Sequence, residues 1–167
     1  MAASQDKLLY LNAKARGEAI RMLYALGGEK YEDKRVDFQD LPQIKGDLPL
    51  GQVPTLETKH GVLTQSNSIA RYVAKKLGLA GKELWEEALH DVVIEAVQAC
   101  IDAYAVPNIY AWKVFKFIPT PENSEQILED AKNKWIKVLN YIESIAEKRG
   151  KKYIIGDSVC GIPFHLF

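Results

Sequence analysis

The chain has 167 residues, enough for one domain or two small ones, and its 47% hydrophobic and 26% charged content is that of a globular protein. Its 22 basic residues balance 22 acidic ones, which removes the electrostatic footprint of a nucleic-acid binder. Met1 to Lys7 lacks the apolar run of a signal peptide, and no stretch reaches the ~18 apolar residues of a membrane span, so the expected setting is cytoplasmic. Cys100 and Cys160 are far apart and form neither a CxxC redox pair nor a metal-ligand set.

Lys7 to Leu11 is a continuous apolar run around Tyr10 and predicts a short buried strand. From Arg16 the spacing turns helical, with Ile20, Leu23, Tyr24 and Leu26 on one face, and Gly27–Gly28 is where that helix ends. Tyr31 to Phe38 alternates charged and apolar side chains, as a half-exposed strand does. A short segment near Leu41–Lys45 follows, bounded by prolines and Gly46. Gln52 to Glu57 is extended around Pro54, which donates no ladder bond, so this strand belongs at an edge or carries a special turn. Lys59–His60–Gly61 is a hairpin connection into Val62–Thr64. Ser66 then opens a helix with Ile69, Tyr72, Val73 and Leu77 on its apolar face, and Ser66 is its expected N-cap.

The order is therefore β-α-β, a short helix, then β-β-α. It predicts one four-stranded mixed sheet with helices on both faces, an α/β thioredoxin-like domain over residues 1–80. After the linker Gly78–Lys82 the pattern is all helical, and residues 81–167 form a second, all-α domain. One helix is expected from Trp85 to about Phe117, with apolar positions Leu89, Val92 or Val93, Ala96, Cys100, and Ala103 or Tyr104. Pro107 predicts a kink or break in it. A second is expected near Ser124–Lys148, its stripe carrying Ile127, Leu128, Ala131, Trp135, Val138, Leu139, Ile142 and Ile145, with Gly150 just past its end. The lysines of this region, Lys132, Lys134 and Lys148 to Lys152, alternate with carboxylates and belong to a solvated face.

Three features of the first half carry chemistry. Tyr10 ends the first strand just before a helix start bearing Arg16. A phenol there can donate a hydrogen bond to a thiolate, with Arg16 strengthening it, although a strand tyrosine taken alone is a core residue. A free thiol, of pKa ~8.5, is only slightly ionised at neutral pH, and one charge-assisted hydrogen bond supplies the ~1.4 kcal/mol that lowers it by a unit. Val53–Pro54, if cis, turns backbone groups toward an extended peptide, and if trans is a plain edge proline. Gln65–Ser66 at a helix start can hold a carboxylate on N–H groups and a hydroxyl, or simply cap the helix.

In this order, the blocks KLLYLNAKARGEAIR (7–21), YEDKRVDFQDLPQIK (31–45), LPLGQVPTL (48–56) and LTQSNSIARY (63–72) resemble the sigma class of cytosolic glutathione transferases. That group includes haematopoietic prostaglandin D synthases, helminth and nematode transferases and lens S-crystallins. The resemblance runs from Lys7 to about Asp157. It implies glutathione as co-substrate, a homodimer, and no metal. Tyr10 falls on the tyrosine that activates the sulfur and Arg16 on its supporting arginine. Lys45 falls on a lysine for the glycyl carboxylate. Gly51, Gln52, Val53 and Pro54 fall on the segment that pairs with the cysteinyl backbone, and Gln65 and Ser66 on the pair for the γ-glutamyl end. Leu41 replaces a common tryptophan and Leu11 a common phenylalanine. Leu11, Ile101 and Tyr104 are the implied acceptor-pocket residues.

Gln98 or Ala99 stands near a usual acidic position on the first long helix, so a magnesium effect is not expected. Gly156–Val159 begins like the family's capping segment, but Cys160 and Pro163 depart from it. The second domain is therefore expected to be incomplete, exposing apolar helix surface. The leading expectation is a transferase that conjugates glutathione to small electrophiles, or isomerises a prostaglandin. The alternative is a non-catalytic, crystallin-like or shortened relative. A dithiol oxidoreductase is rejected for want of paired cysteines.

Overall fold

The structure is a computed structural model; it describes residues 5–114 and 116–149, without the side chains of 104–108, 110 and 149. Gly150 and the segment 156–163 lie outside the described residues. The described chain forms two compact units that divide between Ala80 and Gly81.

The first unit runs β1 (Lys7–Leu11), α1 (Ala15–Gly27), β2 (Glu32–Val36), α2 (Leu41–Ile44), two 3-10 turns (Lys45–Asp47 and Pro49–Gly51), β3 (Thr55–Thr58), β4 (Gly61–Thr64) and α3 (Ser66–Lys76). The sheet order is β2-β1-β3-β4. β1 pairs in parallel with β2 through the α1 crossover and antiparallel with β3, which pairs antiparallel with β4. This is the mixed four-stranded sheet that the element order predicts.

The apolar run of β1 is buried on alternate residues only: Leu8 and Tyr10 are buried, while Lys7, Leu9 and Leu11 are half-buried. Leu8 and Leu56 meet Ile20, Leu23 and Tyr24 of α1 and Ile69, Ala70, Val73 and Ala74 of α3 in one core. Both long helices of this unit thus share one face of the sheet. Tyr31 stacks on Tyr24 with ring centroids 4.1 Å apart. Gly28 ends α1 in the left-handed region, at φ 66°, and its N–H bonds Ala25 O.

One local expectation is settled and two are corrected. Of the two alternatives for β3, the edge is excluded and the special turn is found: β3 is an interior strand, its pairing begins at Thr55, and the Val53–Pro54 bond just before it is cis. The hairpin turn is Lys59–His60 alone, since Gly61 already pairs with Thr58, whose hydroxyl accepts the His60 N–H. Ser66 is the first residue of α3 rather than its cap. Gln65 takes the cap position at φ 68°, ψ 115°, with no side-chain cap bond.

The second unit contains α4 (Leu84–Cys100), a wider helix with i→i+5 bonding over Ile101–Val114, and α5 (Ser124–Arg149). Its helix does not break at Pro107. It widens six residues earlier, at Ile101, into the i→i+5 pattern. Val93, not Val92, is buried, with His90, Ile94, Val97 and Cys100. On α5, Ala131, Val138, Ile142 and Ile145 are buried, but Leu139 is 47% exposed, so the buried face is narrower than the apolar stripe.

Candidate functional site

α1 begins without a side-chain cap from its own N-cap residue, Lys14. The orphaned N–H of Arg16, at the second helical position, is taken instead by the Tyr10 hydroxyl oxygen at 3.2 Å. A strand side chain thus caps the helix that follows it. A phenol has one proton to give and lone pairs to accept with. With Arg16 N–H on the oxygen, the Tyr10 proton remains available to a further acceptor.

Tyr10 is 5% exposed. Burial raises its pKa above the ordinary 10.0, and the Arg16 N–H and the charges of Arg16 and Arg21 oppose that rise without cancelling it. It therefore stays a neutral phenol at physiological pH, a donor and not a base. Its ring rests on α1 at Gly17, where an added Cβ would come within 2.7 Å of Tyr10 Cγ. Only glycine permits this approach.

Beside the start of α1 lies a cleft lined by Arg16, Pro49, Leu50, Gln52, Val53, Pro54, Thr64, Gln65 and Ser66. Its enclosed volume is about 30 Å³, room for about a water or two, so an extended peptide would lie along it and not inside it. Arg16, Gln52, Val53, Pro54, Gln65 and Ser66 are thus brought together from three stretches of sequence. Ser66 and Pro54 are buried, Val53 half-buried, and Gln52 and Gln65 exposed. Ser66 heads an 11-residue helix, whose N-terminal end carries the positive end of the helix dipole.

Tyr10, Leu41, Lys45 and Gly51 are not on the cleft wall. Lys45 is exposed, and its side chain runs beside Gly51, whose added Cβ would lie 3.3 Å from Lys45 Cε. Leu41 is half-buried at the head of α2. Of the residues implied for an acceptor, Leu11 is half-buried at the end of β1 and Ile101 is buried where α4 widens. The Tyr104 side chain lies outside the described residues.

Sequence reasoning missed Pro49, Leu50 and Thr64. Thr64 adjoins Gln65 directly, and Leu50 holds φ 60°, ψ 10°, one of the few non-glycine residues with positive φ. Nothing in a lone leucine announces that conformation.

Residues 7–75 match the family model described as glutathione S-transferase, N-terminal domain. The chain is 34% identical over 162 residues to the hematopoietic prostaglandin D synthase of Gallus gallus, covering 95% of this chain and 74% of that protein. The chain belongs to the glutathione S-transferase family. It is also 30% identical over 158 residues to glutathione S-transferase 3 of Caenorhabditis elegans, covering 92% of this chain and 72% of the relative. Among solved structures, a monomeric glutathione S-transferase of the hookworm Necator americanus superposes with a TM-score of 0.84 at 30% identity, over 97% of this chain and 77% of that one.

Among the described residues of the second unit, the polar pair at Gln98 bears on the expected acidic position. Gln98, which with Ala99 stands near that position, donates from Nε2 to Asp102 Oδ1 at 2.7 Å, so a carboxylate stands one turn later. Among the described residues no group of three or more His, Cys, Asp or Glu side chains is arranged to hold a metal ion. Cys100 is buried as a free thiol, and burial pushes its pKa up, away from reactivity.

Proposed function

We propose that residues 1–80 bind glutathione along the cleft and that Tyr10 ionises its thiol for transfer to a small electrophile. The observation that carries this is the Tyr10–Arg16 bond, which commits the phenol oxygen as acceptor and leaves its proton for the sulfur. The N–H of Arg16, at the positive end of α1, draws charge from that oxygen and makes the phenol a stronger donor. The thiolate, once formed, gains a charge-assisted hydrogen bond that the thiol does not, and its pKa falls. The thiolate lone pair then forms a bond to the electrophilic carbon, whose leaving group (chloride for a chloroarene) departs with the pair of the broken bond. The thiol's proton has already gone to solvent.

The tripeptide has three further anchors in this reading. The backbone at Gln52, which is extended, and Val53 pairs with its cysteinyl unit. Ser66 and the first amides of α3 hold the γ-glutamyl carboxylate. Lys45 faces the glycyl carboxylate, with one contact fewer because Leu41 stands where tryptophan is common. Leu11, Ile101 and Tyr104, the last two from the helical domain 81–167, select the acceptor. The identity to a hematopoietic prostaglandin D synthase supports isomerisation of a prostaglandin as a second activity of the same thiolate. A cytoplasmic homodimer is the proposed working form.

The test is glutathione binding and conjugation of a chlorodinitrobenzene-type electrophile by the purified chain, beside Tyr10→Phe. Loss of the sulfur hydrogen bond is expected to cut kcat/KM at neutral pH about ten- to hundredfold, with glutathione affinity nearly kept. Binding without turnover by the unaltered chain would leave the non-catalytic reading standing instead.

A further inference from the structure

The strength of Tyr10 as a donor depends on how the loop between β1 and α1 is held. Ala15, the first residue of α1 just past this loop, has φ 31°, a conformation that a non-glycine residue keeps only under constraint. Besides backbone bonds such as Asn12 N–H to Val36 O, the segment before Ala15 is held by Arg21, one helical turn beyond Gly17 on the face of α1 that meets Tyr10. Arg21 is only 7% exposed. Its Nη1 donates to Ala13 O at 2.7 Å and its Nη2 to Leu11 O at 3.3 Å, so the end of β1 and the middle of the loop are tied to α1. Its guanidinium carbon lies 5.8 Å from the centroid of the Tyr10 ring.

The guanidinium is itself fixed by two carboxylates. Its Nε donates to Asp33 at 3.1 and 3.2 Å, and its Nη1 to Glu18 at 3.2 Å. Asp33 is shared with Arg35 at 2.8 Å, and Tyr31 is the other titratable group that feels Arg21. The charged groups around Tyr10 and its support are thus Arg16, Arg21, Glu18, Asp33 and Arg35.

We infer that Arg21 is a positioning residue for thiol activation. It fixes the loop so that the Arg16 N–H meets the Tyr10 oxygen, and its charge favours electron withdrawal from the ring, to a degree that Asp33 moderates. This rests on the proposed role of Tyr10. The direction in which Arg21 acts on the Tyr10 proton, towards a more acidic phenol, agrees with it. A mere structural brace would need the same bonds to Leu11 and Ala13 but would not transmit the sign of the neighbouring charges.

The experiment is the pH dependence of kcat/KM, with ultraviolet titration of the bound glutathione thiolate, for the full chain and four variants. Arg21→Met removes the charge and the bonds, and Arg21→Lys keeps the charge. Asp33→Asn keeps Arg21 and removes its moderating carboxylate, and Tyr10→Phe removes the donor. Arg21→Met is expected to move the ionisation of the bound thiol up by about half a pH unit. Arg21→Lys should restore part of that shift, and Asp33→Asn should move it in the opposite direction or not at all. If Arg21→Met and Asp33→Asn both lose activity with the ionisation unmoved, or both move it up, the inference is overturned. A Tyr10→Phe variant whose bound thiol titrates as in the unaltered chain would instead remove the reading on which the inference rests.

Discussion

At the scale of single residues the chemistry turns on which protons are held and which are free. Because burial keeps Tyr10 above its ordinary pKa of 10.0, the phenol remains protonated across the physiological range. The rate should therefore rise with pH as the bound thiol ionises, reach a plateau, and show no second limb below about pH 10. A pH–rate profile with a falling limb near neutrality would contradict this. Ser66, buried at the head of α3, is expected to act on binding alone: Ser66→Ala should raise the KM for glutathione about tenfold with kcat nearly unchanged. Tyr10, Arg16 and Ser66 were legible in the sequence because each stands at the junction of a strand and a helix. Arg21 was not, since a single arginine on an amphipathic helix resembles a solvated one until Asp33 arrives on the next strand.

Between elements, two contacts set how α1 and α3 seat on the sheet. One is the approach of Gly17 to the Tyr10 ring. Gly17→Ala would normally favour a helix, but here the added methyl overlaps the ring, so we expect a net loss of ~1–3 kcal/mol together with reduced activity. Chemical denaturation and the conjugation assay on the same variant check both parts. The other contact lies at the opposite end of β1, where the buried Asp6 accepts from Tyr24 Oη at 2.6 Å and from Lys76 Nζ at 2.8 Å, while Lys76 also pairs with Glu29. Tyr24→Phe leaves that carboxylate short of a donor and should cost ~1–3 kcal/mol in a thermal melt, with glutathione binding kept.

Burial works against the Lys76 charge, but the bonds to Asp6 and Glu29 outweigh it, and its pKa stands above the ordinary 10.5. A folded pKa above the unfolded one means the stabilisation is complete below about pH 10.5 and is lost as pH rises through the folded value. Lys76→Met should accordingly flatten the fall of stability in strongly alkaline solution. Helix ends marked by glycine were legible at this scale. For β3 the sequence left an edge and a special turn open, because Pro54 excludes a ladder bond at one residue without saying which; the cis bond decides for the turn. The Ser66 cap was misplaced because Gln65 accepts a positive φ that side-chain preference does not foretell.

For the molecule as a whole, the element order β-α-β-β-α of the first unit carried most of the fold, since a crossover followed by a hairpin leaves few ways to build a sheet. The second unit was legible as helical but not in detail. The expected stripe was read at the α-helical spacing throughout, and that reading did not register the wider i→i+5 step from Ile101. The exposed Leu139 and the buried Val93 show the same limit: periodicity names a stripe, and the neighbouring elements decide how wide a part of it is buried. Association belongs to this scale too. The proposed homodimer predicts about twice the chain's 18.8 kDa in sedimentation equilibrium, and a single-chain mass would refute it.

The most direct measurement is the ultraviolet titration of the glutathione thiol in complex with the unaltered chain and with Tyr10→Phe. The account predicts a bound thiol that ionises at least one pH unit below the free thiol's ~8.5, and a return most of the way to that value when the Tyr10 hydroxyl is removed. A bound thiol that titrates like the free one, or one whose pKa is the same in both proteins, would contradict it.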